Sequence, residues 1–445
     1  MKGSTFAVRI AQVSAVALLA AGSALTASDS PPPAPSLSAD ASDPRVMGWM
    51  QGFPPPPEQR ITQPDTNFFS FPKLRWSVCH MRELLPTTRV ATDPKLLREL
   101  DYAPREDLQQ LQYQPLGSDE TLGWQDFLDA NYTDGLAIMH RGKLVHVSYS
   151  GCLRPDGMHA AMSMTKSFTG LLAEMLVAEG AIDAAQPVAE VIPELATSAF
   201  GDATVRQVMD MTTALQYSEN YADPNADIWV YSRAASPLPK PADYDGPNGY
   251  FEYLQTVQKN GEHGDAFGYR TVNSDALGWI IARSTGTPVN ELLAERIWQP
   301  MGSAYDAYMT VDGLGTPFAG GGLSANLLDL ARFGQLLLDD GVYQSEQVIP
   351  ASAIASIRAG GDREAFAKAG YSSLPGGSYR SMWWVFHNEH GAYAARGVHG
   401  QTIYIDPTAQ MVIVRFASHP VAGNAANDPT SLPAYAAIAK ILEQP

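Results

Sequence analysis

The chain of 445 residues is long enough for one large domain or two merged ones, and its 45% hydrophobic content fits a packed interior. Acidic residues outnumber basic ones 47 to 30, a formal net charge of −17, which repels phosphate backbones and anionic headgroups and argues against nucleic acid or a membrane surface as partner. Two cysteines, Cys79 and Cys152, are too few for a zinc cluster or a disulfide-built scaffold. Whether they pair depends on their separation in space, and two free buried thiols fit the sequence as well.

The chain opens with Lys2 and Arg9, then an apolar run from Val13 through Leu25, then Ala27 and Ser28 before a polar, Pro-rich stretch. That order is the pattern of a secretory signal peptide over residues 1–28. The run is too short to span a bilayer and no cysteine follows it to carry a lipid. The expected product is therefore exported, periplasmic or secreted, with no stable membrane insertion after cleavage. Residues 29–117 read as a linker and N-terminal extension. From Ser28 to Pro64 the composition shifts to Pro, Ser, Asp and Gly, which predicts a linker or wrapped stretch with no core of its own. Phe68 to Gln114 reads as partly helical, with Arg82 to Leu85 as one such segment.

Residues 118–445 are expected to form the main domain. Leu136 to Met139 and Leu144 to Tyr149 are strand-like runs joined by His140, Arg141, Gly142 and Lys143, a hairpin signal. Helical patterns follow, including Asp275 to Ser284, Val289 to Trp298 and Asn326 to Leu338. A second strand-rich block, Met382 to His387, Gln401 to Asp406 and Met411 to Ala417, closes the chain. Strands at both ends with helices between predict an α+β fold: one antiparallel sheet built from both termini, flanked by helices, with a mainly helical region inserted.

Ser163-Met164-Thr165-Lys166 opens a run in which Phe168, Leu171, Leu172, Met175 and Leu176 recur at helical spacing until Gly180. Ser163 thus stands at a helix start. Three residues are nearly one turn, so the Lys166 amine shares a face with the Ser163 hydroxyl. A serine hydroxyl needs a neighbouring base to take its proton, and backbone N–H groups at a helix N-terminus steady a developing oxyanion. The pattern alone is weak, because a serine three residues before a lysine arises by chance about once or twice in such a chain. An N-cap serine followed by a solvated lysine is the ordinary alternative. Ser70-Phe71-Pro72-Lys73 also matches, but Pro72 interrupts the spacer, and Leu74, Arg75 and Trp76 show no buried helical stripe.

Five ordered segments strengthen the reading: Met162 to Ser167; Tyr217-Ser218-Glu219-Asn220-Tyr221; Phe267 to Asn273, containing Tyr269; Gly320-Gly321-Gly322-Leu323-Ser324 leading to Asp329 and Arg332; and Gly397-Val398-His399-Gly400-Gln401. In order and spacing they resemble the β-lactamase-related serine hydrolases, and within them the 6-aminohexanoate-dimer hydrolases, which cleave nylon oligomers and act as carboxylesterases. The likeness runs from about Met47 to the C-terminus. It implies a β-lactamase-like fold and a serine hydrolase that needs no cofactor. Ser163 would be the acylated nucleophile and Lys166 its proton acceptor. Tyr269 matches the tyrosine that bonds both and passes a proton to the leaving group. A phenol beside a partly buried ammonium also helps the lysine give up its proton.

The family's third motif, usually Lys-Thr-Gly, falls here on Ala395, Arg396 and Gly397. The resemblance implies an oxyanion hole formed by the backbone N–H groups of Ser163 and Val398, with Gly397 bordering the substrate. In true β-lactamases the motif's lysine helps hold the substrate carboxylate, so its loss argues against penicillin as substrate. Arg396 is either a substitute or a solvated charge on an edge strand. Tyr221 matches the tyrosine that contacts the substrate amide nitrogen in the nylon-dimer hydrolases. Ser232 stands where their amide-active members carry an aspartate for the substrate's amino end, so ester hydrolysis is expected ahead of linear-dimer cleavage.

His399 invites a Ser-His triad, but no Gly-x-Ser-x-Gly surrounds Ser163 and Lys166 already supplies a base, so His399 is retained only as a substrate-contacting residue. The other histidines lack metal-ligand spacing and no metal is expected. The expected partner is a small-molecule ester or amide; the oligomeric state is open. The alternatives are a β-lactamase or D-Ala-D-Ala carboxypeptidase, and a non-catalytic binding protein on the same fold.

Overall fold

The computed structural model describes residues 37–62, 67–220, 223 and 225–444; the stretch expected to be a signal peptide lies outside them, as does Tyr221. Two short helical turns, Leu74–Ser77 and Met81–Leu84, precede strand β1 (Thr87–Val90). The first turn corrects the sequence reading of this segment, since Leu74, Arg75, Trp76 and Ser77 are all buried. Their burial comes from tertiary packing, which a search for helical periodicity does not detect. Ile61, Phe68, Leu74 and Trp76 share one apolar cluster with Met162, Tyr308 and Val398 of the main domain. The described part of the Pro-rich stretch wraps over this junction. Arg75 donates to the Ala39 carbonyl and the Ser42 hydroxyl and pairs with buried Asp134, and the Tyr132 hydroxyl donates to the Leu37 carbonyl.

Next come β2 (Thr133–His140) and β3 (Lys143–Tyr149), the expected hairpin. Its turn residues Arg141 and Gly142 have φ of +49° and +79°, the pair of positive values that lets a two-residue turn follow the twist of its strands. The chain continues through β4 (His159–Ala160), α1 (Met164–Ala178), α2 (Asp227–Ala235), α3 (Val272–Thr285), β5 (Ala307–Thr310), β6 (Leu323–Ala325) and α4 (Leu327–Leu338). The helix expected over Val289–Trp298 starts as an α-helix at Val289–Leu293 and continues as a π-helical turn at Ala294–Trp298. The last strands are β7 (Ser378–Arg380), β8 (Trp383–Val385), β9 (Tyr393–Gly397), β10 (Gln401–Asp406) and β11 (Met411–Ala417).

These strands form the antiparallel sheet expected from both ends of the chain, seven strands in the order β7-β8-β9-β10-β11-β2-β3. The ends meet where β11 pairs with β2, Ile413 opposite Ile138. Side chains on a strand alternate between faces, and here both faces are covered, so the central strands read as unbroken apolar runs. Ala137, Met139, Val412 and Val414 pack with α1 and α4, while Leu136, Ile138, Met411 and Ile413 pack on the opposite face. Helix α4 lies so close that a Cβ on Gly334 would stand 2.4 Å from a Val412 methyl. A smaller sheet, β1-β5-β6-β4, carries the chain toward the start of α1.

The opposite face is covered by an element absent from the sequence reading, helix α5 (Asp428–Leu442), whose Ala434, Tyr435, Ile438 and Leu442 complete the second core. Pro429 and Pro433 hide this helix. Pro429 sits in the first turn, where its missing N–H has no intrahelical acceptor to lose. Pro433 leaves the Pro429 carbonyl without its helical donor, and the Leu116 N–H of the extension fills the gap at 2.9 Å.

Cys79 and Cys152, left open by the sequence, are joined in a disulfide spanning 73 residues. The bond ties the extension to the strand end before β4, and beside it the Ala160 N–H donates to the Val78 carbonyl at 2.7 Å. A loop of that length constrains the unfolded chain strongly. Replacing both cysteines by serine is expected to remove about 2–4 kcal/mol. The measurement is urea unfolding, in which the midpoint should fall and the slope rise, because the unbridged unfolded chain exposes more surface.

Candidate active site

Helix α1 begins directly after Ser163, which serves as its N-cap, while Met162 before it has a φ of +50°, an uncommon value for a residue with a side chain. One turn on, the Lys166 amine lies 3.0 Å from the Ser163 hydroxyl and donates to the Gly320 carbonyl at 2.6 Å. Lys166 is wholly buried. Burial disfavours the ammonium and lowers the amine's pKa to about 8, although the negative charges of Glu219 and Asp275 oppose the shift. Tyr269 completes the cluster: its hydroxyl is hydrogen-bonded to Ser163, and Lys166 Nζ lies 5.2 Å from its ring centroid. Burial raises the phenol's pKa well above its ordinary value, so it is protonated.

Two supports fix Tyr269. Its ring stacks on Trp384 of β8 at 5.7 Å between centroids. Two residues on, the N–H and hydroxyl of Thr271 both donate to the Glu219 carboxylate, at 2.7 and 2.6 Å. On the far side of Ser163, the end of β9 runs against the nucleophile's own backbone. A Cβ on Gly397 would lie 3.0 Å from the Ser163 nitrogen and 2.8 Å from the Ala161 carbonyl, so only glycine lets the strand approach this closely. Val398 follows at the strand end, fully buried. The arrangement brings together a hydroxyl, a largely desolvated amine and a protonated phenol, beside the strand end that carries Val398. Such a set suits acyl transfer.

Comparison with known proteins supplies the family. A model of the family described as Beta-lactamase matches residues 130–436. The 6-aminohexanoate-dimer hydrolase of Paenarthrobacter ureafaciens is 35% identical over 78% of this chain and 86% of its own length. The chain belongs to the beta-lactamase family. A Bacillus anthracis structure assigned as a 6-aminohexanoate-dimer hydrolase superposes with a TM-score of 0.77 at 33% identity, covering 85% of this chain and 97% of that one. EstCE1, a hydrolase with promiscuous acyltransferase activity, shares the fold at a TM-score of 0.54 and 16% identity, over 71% of this chain and 96% of its own. The chain is accordingly a serine hydrolase of this family, acting on ester or amide bonds.

Within that family frame, the remaining sequence-derived positions divide. Arg396 is corrected on both counts. Strand β9 lies inside the sheet, between β8 and β10, and the guanidinium is buried, paired with Asp428 of α5 and placed 5.4 Å from the Trp384 ring centroid. Ala395, in place of the family's lysine, is buried and apolar. His399, with a φ of +61°, is buried, and its Nδ1 stands 2.6 Å from the His419 carbonyl oxygen. A carbonyl only accepts, so Nδ1 carries the proton. Burial lowers the imidazole's pKa to about 4, which leaves it neutral and held by backbone. Tyr221 is outside the described residues. Ser232 is buried on α2 and turns its hydroxyl back to the Ile228 carbonyl at 2.7 Å.

Sequence reasoning missed Glu219, Asp275, the Gly320 carbonyl and Asp428. Glu219 and Gly320 lay inside segments already singled out, yet nothing in their residue types announced a link to Lys166. Buried acids beside a buried amine become visible only once the helices are packed.

Burying Lys166 has a consequence for stability. A lysine whose folded pKa is depressed costs the fold below that pKa, and the cost fades as pH rises to the unfolded value, because the unfolded chain binds the extra proton in that window. Relative to a Lys166→Met variant, the native protein is expected to gain up to about 3 kcal/mol between pH 8 and pH 10.5, read from denaturant midpoints across that range.

Proposed function

We propose that this chain is an exported carboxylesterase, with secondary activity on amides, that works through an acyl-enzyme on Ser163. The observation that carries the reading is the 3.0 Å approach of the Lys166 amine to the Ser163 hydroxyl, in a pocket where the amine's pKa falls to about 8. At neutral pH roughly a tenth of such a lysine is free base, against a negligible fraction for an exposed one. The amine takes the serine proton as Oγ attacks the carbonyl carbon, and the N–H groups of Ser163 and Val398 hold the oxyanion. The new ammonium returns its proton through Tyr269 to the departing alkoxide or amine. Water then adds to the acyl-enzyme and the same transfers run in reverse.

The named relatives support a small ester or amide as substrate. Ser232, a neutral side chain that bonds the Ile228 carbonyl, offers no charge for a substrate ammonium, which favours esters over linear aminohexanoate dimers. The Arg396–Asp428 pair leaves no cation on β9 for a penicillin carboxylate. Export is supported by the signal-like N-terminus and by the Cys79–Cys152 bond, since disulfides persist in oxidising compartments. Export is checked by fractionating cells that express the full chain; retention of an uncleaved product in the cytoplasm refutes it.

Ser163→Ala is expected to abolish both fluorophosphonate labelling and turnover of p-nitrophenyl butyrate, and persistence of either in a folded variant refutes the mechanism. Lys166→Ala and Tyr269→Phe are expected to lower kcat by roughly 10²–10⁴-fold. Gly397→Ala, which forces β9 off the Ser163 nitrogen, should lower kcat by roughly 10²-fold. Labelled penicillin should form no lasting adduct; a stoichiometric, stable one would move the reading to a penicillin-binding protein.

A further inference from the structure

Behind Lys166 lies a buried acid that the acyl-transfer steps do not use. Asp275, in the first turn of α3, is almost wholly buried. One carboxylate oxygen accepts the Ala319 N–H at 3.0 Å, and the other accepts the Tyr231 hydroxyl of α2. The backbone segment it holds at Ala319 is the one that meets the amine a residue later, at Gly320. The Ala319 carbonyl accepts from the Thr169 hydroxyl at 3.1 Å, and the Gly320 carbonyl accepts from Lys166 at 2.6 Å. There is little slack in this arrangement: a Cβ on Gly320 would lie 2.7 Å from the Thr271 methyl and 3.2 Å from the Asp275 carboxylate.

For a lysine to act as base, its lone pair must point at the serine proton. A carbonyl that takes one of the amine's own protons turns the lone pair away from itself, so the place of the Gly320 oxygen sets the aim. We propose that Asp275 is a positioning residue for Lys166: it anchors, at the Ala319 N–H, the short backbone segment whose next carbonyl, that of Gly320, orients the amine, and its charge sets how tightly the amine keeps its third proton. The inference rests on the Ser163–Lys166 chemistry proposed above and adds to it a residue that does not touch substrate.

The electrostatic surroundings fix the sign. Lys166 faces the acids Glu219 and Asp275. Asp275 faces Lys166, Tyr231 and Asp312, with the phenols of Tyr217 and Tyr250 also within its field. Burial pushes the Asp275 carboxyl up to about 7, against the Tyr231 bond and the Lys166 charge, which pull it down. An ionised Asp275 favours the ammonium. Removing that charge therefore favours the free amine and carries the base function to lower pH.

The test is the pH dependence of the rate at which a fluorophosphonate labels Ser163, in the full chain, for wild type, Asp275→Asn and Tyr231→Phe. Asparagine keeps the side-chain shape and an oxygen for the Ala319 N–H. Its acid limb should move to lower pH by roughly half a unit to one unit. Tyr231→Phe withdraws a donor from the carboxylate, leaves Asp275 more protonated and should move the limb in the same direction by less. It also carries the test if the asparagine variant does not fold. A limb superimposed on the wild type in a folded variant overturns the proposal. A rate lowered equally at every pH does so too, since that is what loss of packing alone would give. An unlabelled wild-type protein would instead defeat the acyl-enzyme reading itself, so the two failures are told apart.

Discussion

The site depends on keeping an amine in a place where its charge is unwelcome. Lys166 is wholly buried, and its pKa falls to about 8 because the protein around it does not solvate an ammonium as bulk water does. Two acids, Glu219 and Asp275, keep that depression from going further, so the lysine stays near the pH at which it can both take and return a proton. Much of the nearby architecture serves this balance. Glu219 holds the start of the helix that follows Tyr269, Asp275 holds the Ala319 N–H of the segment whose Gly320 carbonyl receives the amine, and α1 holds the hydroxyl one turn away.

Close backbone approach does the rest. Gly397 lets β9 lie against the Ser163 nitrogen, and Gly334 lets α4 sit on β11. The Ser163 end of α1 is also braced from below by the N-terminal extension. Val78 receives the Ala160 N–H, Trp76 and Leu74 join Met162 and Val398 in one apolar cluster, and the Cys79–Cys152 bond fastens the junction. The extension is thus continuous with the support of the nucleophile.

Arg396 illustrates how a motif residue changes meaning with its surroundings. By position it stands where the family reads a substrate-facing strand, but the helix that closes the chain offers Asp428, and a buried guanidinium takes the available carboxylate. The same helix covers the second face of the sheet and turns strands that could have been half-solvated into buried ones.

The sequence alone determined what local rules and ordered motifs determine. The 3.6-residue periodicity after Ser163 placed hydroxyl and amine on one turn, the apolar runs at both chain ends named the strands of one sheet, and the Arg141-Gly142 turn marked the hairpin between two of them. It did not disclose α5, because Pro429 and Pro433 look like breaks until Leu116, more than three hundred residues away in the chain, supplies the missing donor. Nor did it disclose the disulfide, the burial of Leu74 and Trp76, or the acids around Lys166. Each of these is a relation between residues far apart along the chain. Hydrogen bonds, burial and field strength depend on distance in space, which only the packed tertiary structure decides.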